Sequence, residues 1–124
     1  MTFLIKREAL ELILGVSREL YPREFTGQLR AEGEIITEVL VIPASTFGEG
    51  FAQTRRDMIP IDKSIIGSVH SHPGPSYSPS QADLKYFRKM GEIHLIVRHP
   101  FKEINDIAAY DSEGRGVSLE VNEH

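Results

Sequence analysis

His70, His72, Ser80 and Asp83 fall within one short span, His70-Ser71-His72-Pro73-Gly74-Pro75-Ser76-Tyr77-Ser78-Pro79-Ser80-Gln81-Ala82-Asp83. Residues two apart on a strand share a face, so His70 and His72 project together while Ser71 points away. That spacing suits two imidazoles on one metal ion. The prolines stiffen the loop that follows and can fold Asp83 back toward the histidines. Two imidazoles and one carboxylate leave a fourth tetrahedral position open to water, the arrangement of a catalytic zinc site. Zinc lowers the pKa of such a water to about 7. The chain has no cysteine, which excludes disulfides, thiolate metal sites and a cysteine nucleophile. A transition-metal site must therefore use imidazole and carboxylate.

The same residues have a simpler reading. Ser80-Gln81-Ala82-Asp83 is a capping-box pattern that can do no more than start a helix. An isolated His-x-His on a strand is more often structural than a ligand pair. A binuclear His-x-His-x-Asp-His site would need an aspartate at position 74, where Gly74 stands. An iron oxygenase triad would want a carboxylate beside the histidines, where Ser71 stands.

The elements that must position this span follow from hydrophobic spacing. Ile65 to Ser71 is apolar and β-branched, a buried strand delivering the histidines at its end. Gln81 to Met90 reads as a helix with Gly91 as its C-cap, followed by an apolar strand from Ile93 to Val97. Upstream, Phe3 to Ile5 is a short strand or apolar lead-in. Lys6 to Leu20 is a helix with Ala9, Leu12, Ile13, Val16 and Leu20 at helical spacing, ended by Tyr21-Pro22. Phe25 to Ala31 and Glu34 to Ile42 form a hairpin about Glu32-Gly33. Pro43 to Gln53 is an exposed loop, and Met58-Ile59-Pro60-Ile61 resumes a strand-like pattern that Pro60 restricts to an edge or an irregular stretch. Ile104 to Tyr110 and Val117 to Val121 make a last antiparallel pair through Asp111-Ser112-Glu113-Gly114. The sum is one α+β domain over residues 1–124, a mixed sheet or sandwich with two helices covering sheet faces.

Composition agrees with a single core: 124 residues, 40% hydrophobic and 26% charged. Fourteen basic against eighteen acidic residues give a formal charge of −4, which opposes nonspecific attraction to nucleic acid or an anionic membrane. No apolar run approaches the ~20 residues of a membrane span, and the start of the chain lacks a signal-peptide core, so a soluble cytoplasmic protein is expected.

With these residues in place, the span resembles the JAMM, or MPN+, metalloprotease family, whose signature is His-[Ser/Thr]-His-Pro followed at seven-residue spacing by Ser-x-x-Asp. His70-Ser71-His72-Pro73 and Ser80-Gln81-Ala82-Asp83 fit it. The family places a glutamate after its first helix in a context like Pro-x-Glu-x-x-Gly, and Pro22-Arg23-Glu24-Phe25-Thr26-Gly27 matches. The resemblance covers most of the chain. It implies a cytidine-deaminase-like MPN fold, with Zn²⁺ held by His70, His72 and Asp83. It makes Glu24 the acid/base that moves a proton from the zinc-bound water to the leaving amine, and Ser80 the oxyanion donor. Glu24 is assigned by the resemblance alone; on its own it reads as an exposed residue at a helix-to-strand junction.

Members of that family cleave peptide or isopeptide bonds after the C-terminal tail of ubiquitin-like proteins, including small sulfur-carrier proteins, and such a substrate is the implied partner. The Ala44-Ser45-Thr46-Phe47-Gly48-Glu49-Gly50 loop could hold an extended tail by strand addition. Two other functions stay open: a noncatalytic MPN scaffold, and a metalloenzyme acting on a small molecule. Among the other residues, His94 reads as structural or surface, His99 as a turn residue before Pro100, His124 as a terminal residue, and Arg55-Arg56 as a solvated face. Tyr77 either contacts substrate or packs its loop on the core.

Overall fold

A computed structural model describes residues 1–42 and 63–123. Seven strands and two α-helices follow one another as β1 (Thr2–Lys6), α1 (Arg7–Leu20), β2 (Thr26–Glu32), β3 (Ile35–Val41), β4 (Ile65–His72), α2 (Gln81–Lys89), β5 (Ile93–Arg98), β6 (Ile107–Tyr110) and β7 (Gly116–Asn122). The expected loop at Pro43 to Gln53, with its Ala44 to Gly50 stretch, and the expected strand at Met58 to Ile61 lie outside the described residues, as do Arg55-Arg56 and His124.

The strands form one mixed sheet in the order β1-β3-β2-β4-β5-β6-β7, closed into a barrel. The mixed sheet expected from the element order is present, and it is closed rather than a sandwich. The cause of closure is β1, which pairs in parallel with β3 on one edge (Leu4↔Ile35) and with β7 on the other (Thr2↔Ser118 through Lys6↔Asn122). No hairpin signal marks such pairings, because the partners are far apart in sequence.

Helix α1 packs at this closure, touching β1, β3, β5 and β7. Its buried side is Ala9, Leu10, Ile13, Leu14 and Ser17, and Ser17 stays satisfied by donating its hydroxyl to the Ile13 carbonyl at 2.7 Å. The expected stripe through Leu12 is off by part of a turn. Leu12 is exposed, while Val16 and Leu20 flank the core. Phe3, Ile5, Phe25, Leu29, Ile36, Val69, Leu95 and Val97 complete one apolar cluster with the helix. α2 covers another part of the sheet: its Phe87 ring stacks on His94 at 4.3 Å. Both helices thus cover the sheet, as an α+β reading requires.

β4 is the central delivery strand. It runs antiparallel to β2 (Thr26↔His70) and parallel to β5 (His70↔Ile96, His72↔Arg98). Gly67 permits the second pairing at close range, since a Cβ there would lie 1.6 Å from the Ile93 carbonyl oxygen. Gly91, at φ 121°, ends the passage out of α2 in a conformation that favours glycine. The expected strand at Ile104 splits instead: Ile104–Asp106 is a 3-10 turn, and β6 begins at Ile107. Asp106 explains the turn, because its carboxylate accepts the Lys102 amide at 2.8 Å and meets the Arg98 guanidinium at 3.3 Å. No helix among the described residues is long and apolar enough to cross a membrane.

Candidate metal centre

His70 and His72 leave the end of β4 on one face, as the period of two demands, and their Nε2 atoms stand 3.2 Å apart. Ser71 between them is turned away and buried. The Pro73–Pro79 loop then brings the first turn of α2 back over the pair. Asp83 Oδ1 lies 3.2 Å from His70 Nε2, and Oδ2 lies 3.5 Å from His72 Nε2. One ligand atom from each of the three residues falls within 4.8 Å of the others.

These spacings fit a metal. Bonds of about 2.0–2.1 Å from a tetrahedral zinc place its donor atoms about 3.3 Å apart, close to the separations found here. The protonation pattern fits as well. His72 Nδ1 is 3.2 Å from the Ser76 carbonyl oxygen, which can only accept, so Nδ1 carries the proton and Nε2 keeps its lone pair for a cation. Hydrogen bonding to Asp83 raises the His72 pKa against the opposing effect of burial, with a smaller electrostatic contribution from Glu24. Burial by itself would raise the Asp83 pKa, but hydrogen bonds from His70, His72 and the Ser80 amide hold it well below the ordinary carboxylate range.

Ser80 and Asp83 form the expected capping box. The Ser80 amide donates to Asp83 Oδ2 at 2.8 Å, and the Asp83 amide donates to Ser80 Oγ at 3.1 Å. The two readings of this pair are therefore compatible: the carboxylate that caps α2 also faces both imidazoles. Ser80 is exposed beside the cluster, and its hydroxyl proton is not used by the cap.

Glu24 is exposed in the connection between α1 and β2. The β2–β4 pairing begins at Thr26↔His70, two residues after Glu24, and the Glu24 charge contributes to the raised His72 pKa. Phe25 and Ser71 are joined twice: the Phe25 amide donates to Ser71 Oγ at 2.8 Å, and the Ser71 amide donates to the Phe25 carbonyl at 2.9 Å. Ser71 was not among the expected functional residues. The signal for it was its place on β4 opposite the residue after Glu24, which needs the β2–β4 register to be known.

The remaining candidates are structural. His94 is fully buried; its Nε2–H donates to the Gly91 and Phe87 carbonyls at 3.0 and 3.2 Å, and Nδ1 accepts from the Ser68 hydroxyl at 2.7 Å. Burial pushes its pKa down to about 4. His99 donates its amide to the Gly74 carbonyl at 3.0 Å and packs its ring on Tyr21 and Phe101, which steadies the loop after His72. Tyr77 packs rather than projects: its carbonyl accepts from the Tyr110 hydroxyl at 2.7 Å, and the Arg98 guanidinium lies over its ring at 4.3 Å.

This chain is similar to several known proteins. A probable metalloprotease of Haloferax volcanii is 35% identical over 127 residues, covering 94% of this chain and 78% of the relative. The crystal structure of a JAB1/MPN domain protein from Archaeoglobus fulgidus superimposes with a TM-score of 0.78 at 33% identity, covering 98% of this chain and all of the other. A structure described as a JAMM metalloprotease-like zinc site in the proteasome and signalosome also gives 0.78, at 31% identity, covering 99% of this chain and all of the other. The solution structure of a Desulfitobacterium hafniense protein, at 20% identity and a TM-score of 0.63 over the whole chain and 94% of its own, shares the fold. The model of the prokaryotic homologs of the JAB domain matches residues 6–112, and the chain belongs to this Prok-JAB family.

Proposed function

We propose that residues 1–124 act as a single catalytic domain of cytidine-deaminase-like fold. In this reading it is a zinc-dependent metallopeptidase that hydrolyses the peptide or isopeptide bond after the C-terminal tail of a ubiquitin-like or small sulfur-carrier protein. The observation that carries the reading is the convergence of His70, His72 and Asp83 on one point, with the Glu24 charge felt at His72.

His70 Nε2, His72 Nε2 and the Asp83 carboxylate would hold the zinc. Such a zinc polarises a carbonyl and acidifies a water. Glu24, solvent-accessible and electrostatically coupled to His72, takes the proton of the attacking water and returns it to the leaving amine, the role of a general base and acid. The Ser80 hydroxyl, whose oxygen already accepts the Asp83 amide, donates its own proton to the developing oxyanion. The substrate class rests on the sequence motif shared with the JAMM proteases. The test is cleavage of a small sulfur-carrier protein whose Gly-Gly terminus is fused to a reporter, before and after chelation and zinc return. Cleavage after the second glycine, lost with chelator and restored by zinc, is expected. A protein that binds zinc at these residues yet cleaves neither this fusion nor an isopeptide conjugate would overturn the reading.

A further inference from the structure

Ser71 lies between the two histidines but faces away from them, and it is 1% exposed. At each hydrogen-bonded pair of an antiparallel ladder, which alternates with non-bonded pairs, the two opposed residues exchange two backbone hydrogen bonds. Here only one of the two is conventional, from the Ser71 amide to the Phe25 carbonyl. The return bond runs from the Phe25 amide to the Ser71 hydroxyl. That amide belongs to the peptide unit joining Glu24 to Phe25. The start of β2 is therefore set against β4 through a side chain, and Phe25, itself 1% exposed in the core, anchors the far side of the same peptide unit.

We propose that Ser71 is the positioning residue for Glu24. The ligand histidines and the peptide that carries Glu24 are fixed to one another by the residue between the histidines. Without that hydroxyl the Glu24–Phe25 amide loses a buried acceptor, and the peptide that carries Glu24 loses one of its ties to β4. Misplacement of a reacting group by about 1 Å can cost about a hundredfold in rate. This inference rests on the role given to Glu24 above.

The test is a double-mutant cycle of Ser71→Ala and Glu24→Gln on the zinc-loaded protein, using the sulfur-carrier fusion under single turnover. Zinc content and hydrogen exchange at the Phe25 amide are read alongside the rate. Ser71→Ala is expected to keep its zinc, speed Phe25 amide exchange and lower the rate by about ten- to a hundredfold. The Glu24→Gln background should show no further loss. Ser71→Thr, which keeps the hydroxyl, should restore both rate and protection. Should Ser71→Ala not fold, Ser71→Cys, of similar size but a weak acceptor, takes its place. Equal losses from Ser71→Ala with and without Glu24, or no loss at all, would overturn the positioning role while leaving the functional reading intact. Full activity in Glu24→Gln alone would overturn the reading and this inference with it.

Discussion

The Asp83 carboxylate accepts the Ser80 amide at 2.8 Å while its two oxygens face His70 and His72 at 3.2 and 3.5 Å. One side chain thus starts a helix and completes a cation site. The two jobs separate on substitution. Asp83→Asn keeps an acceptor for the Ser80 amide but loses the anion, so unfolding of the metal-free protein in urea should change by less than about 1 kcal/mol. Zinc affinity, titrated with a chromophoric chelator, should fall by more than the roughly 10- to 100-fold cost of losing an outer-shell partner.

Zinc binding should weaken as pH falls through the raised pKa of His72, because the metal must then displace a proton. Titrations from pH 8 to pH 5 should show proton release that grows toward acid. Zinc should also raise the melting temperature, since saturation a hundredfold above Kd adds about 2.7 kcal/mol to the folded state.

His94 supplies a separate acid sensitivity. Its folded pKa of about 4 lies below the ordinary value of 6.5, so the unfolded chain binds the proton more tightly. Its contribution is intact above pH 6.5, falls through the window from 6.5 to 4, and levels off below. Between pH 7 and pH 5 that loss is about 2 kcal/mol. Urea unfolding of His94→Gln should show a pH dependence shallower by about that amount, on top of its own constant cost.

Gly67→Ala should be among the most damaging single changes. Its Cβ would meet the Ile93 carbonyl at 1.6 Å, so β4 and β5 must separate where they pair. A loss of about 3 kcal/mol or more in urea unfolding is expected, together with weaker zinc binding as His70 moves.

The sequence was most legible where periodicity was local. The strand of Ile65 to Ser71, the helix after Ser80 and the hairpin about Gly33 stand where spacing put them, because each is specified within its own residues. The barrel was not legible, since β1 earns its place through partners near residues 35 and 118. Leu12 was misassigned because Leu10 and Leu14 define an equally regular stripe, and only packing chooses between them. In the site, the His-x-His face and the capping box followed from residue type alone. Glu24 did not, because its place near the site depends on the register of β2 against β4 and on the Phe25–Ser71 bonds.

The most direct measurement is zinc content and cleavage of the sulfur-carrier fusion by Glu24→Gln beside the wild type. Removing the proton carrier and no ligand should leave about one zinc per chain and lower turnover by about 10²- to 10⁴-fold. Undiminished cleavage by Glu24→Gln with its zinc in place would contradict the account.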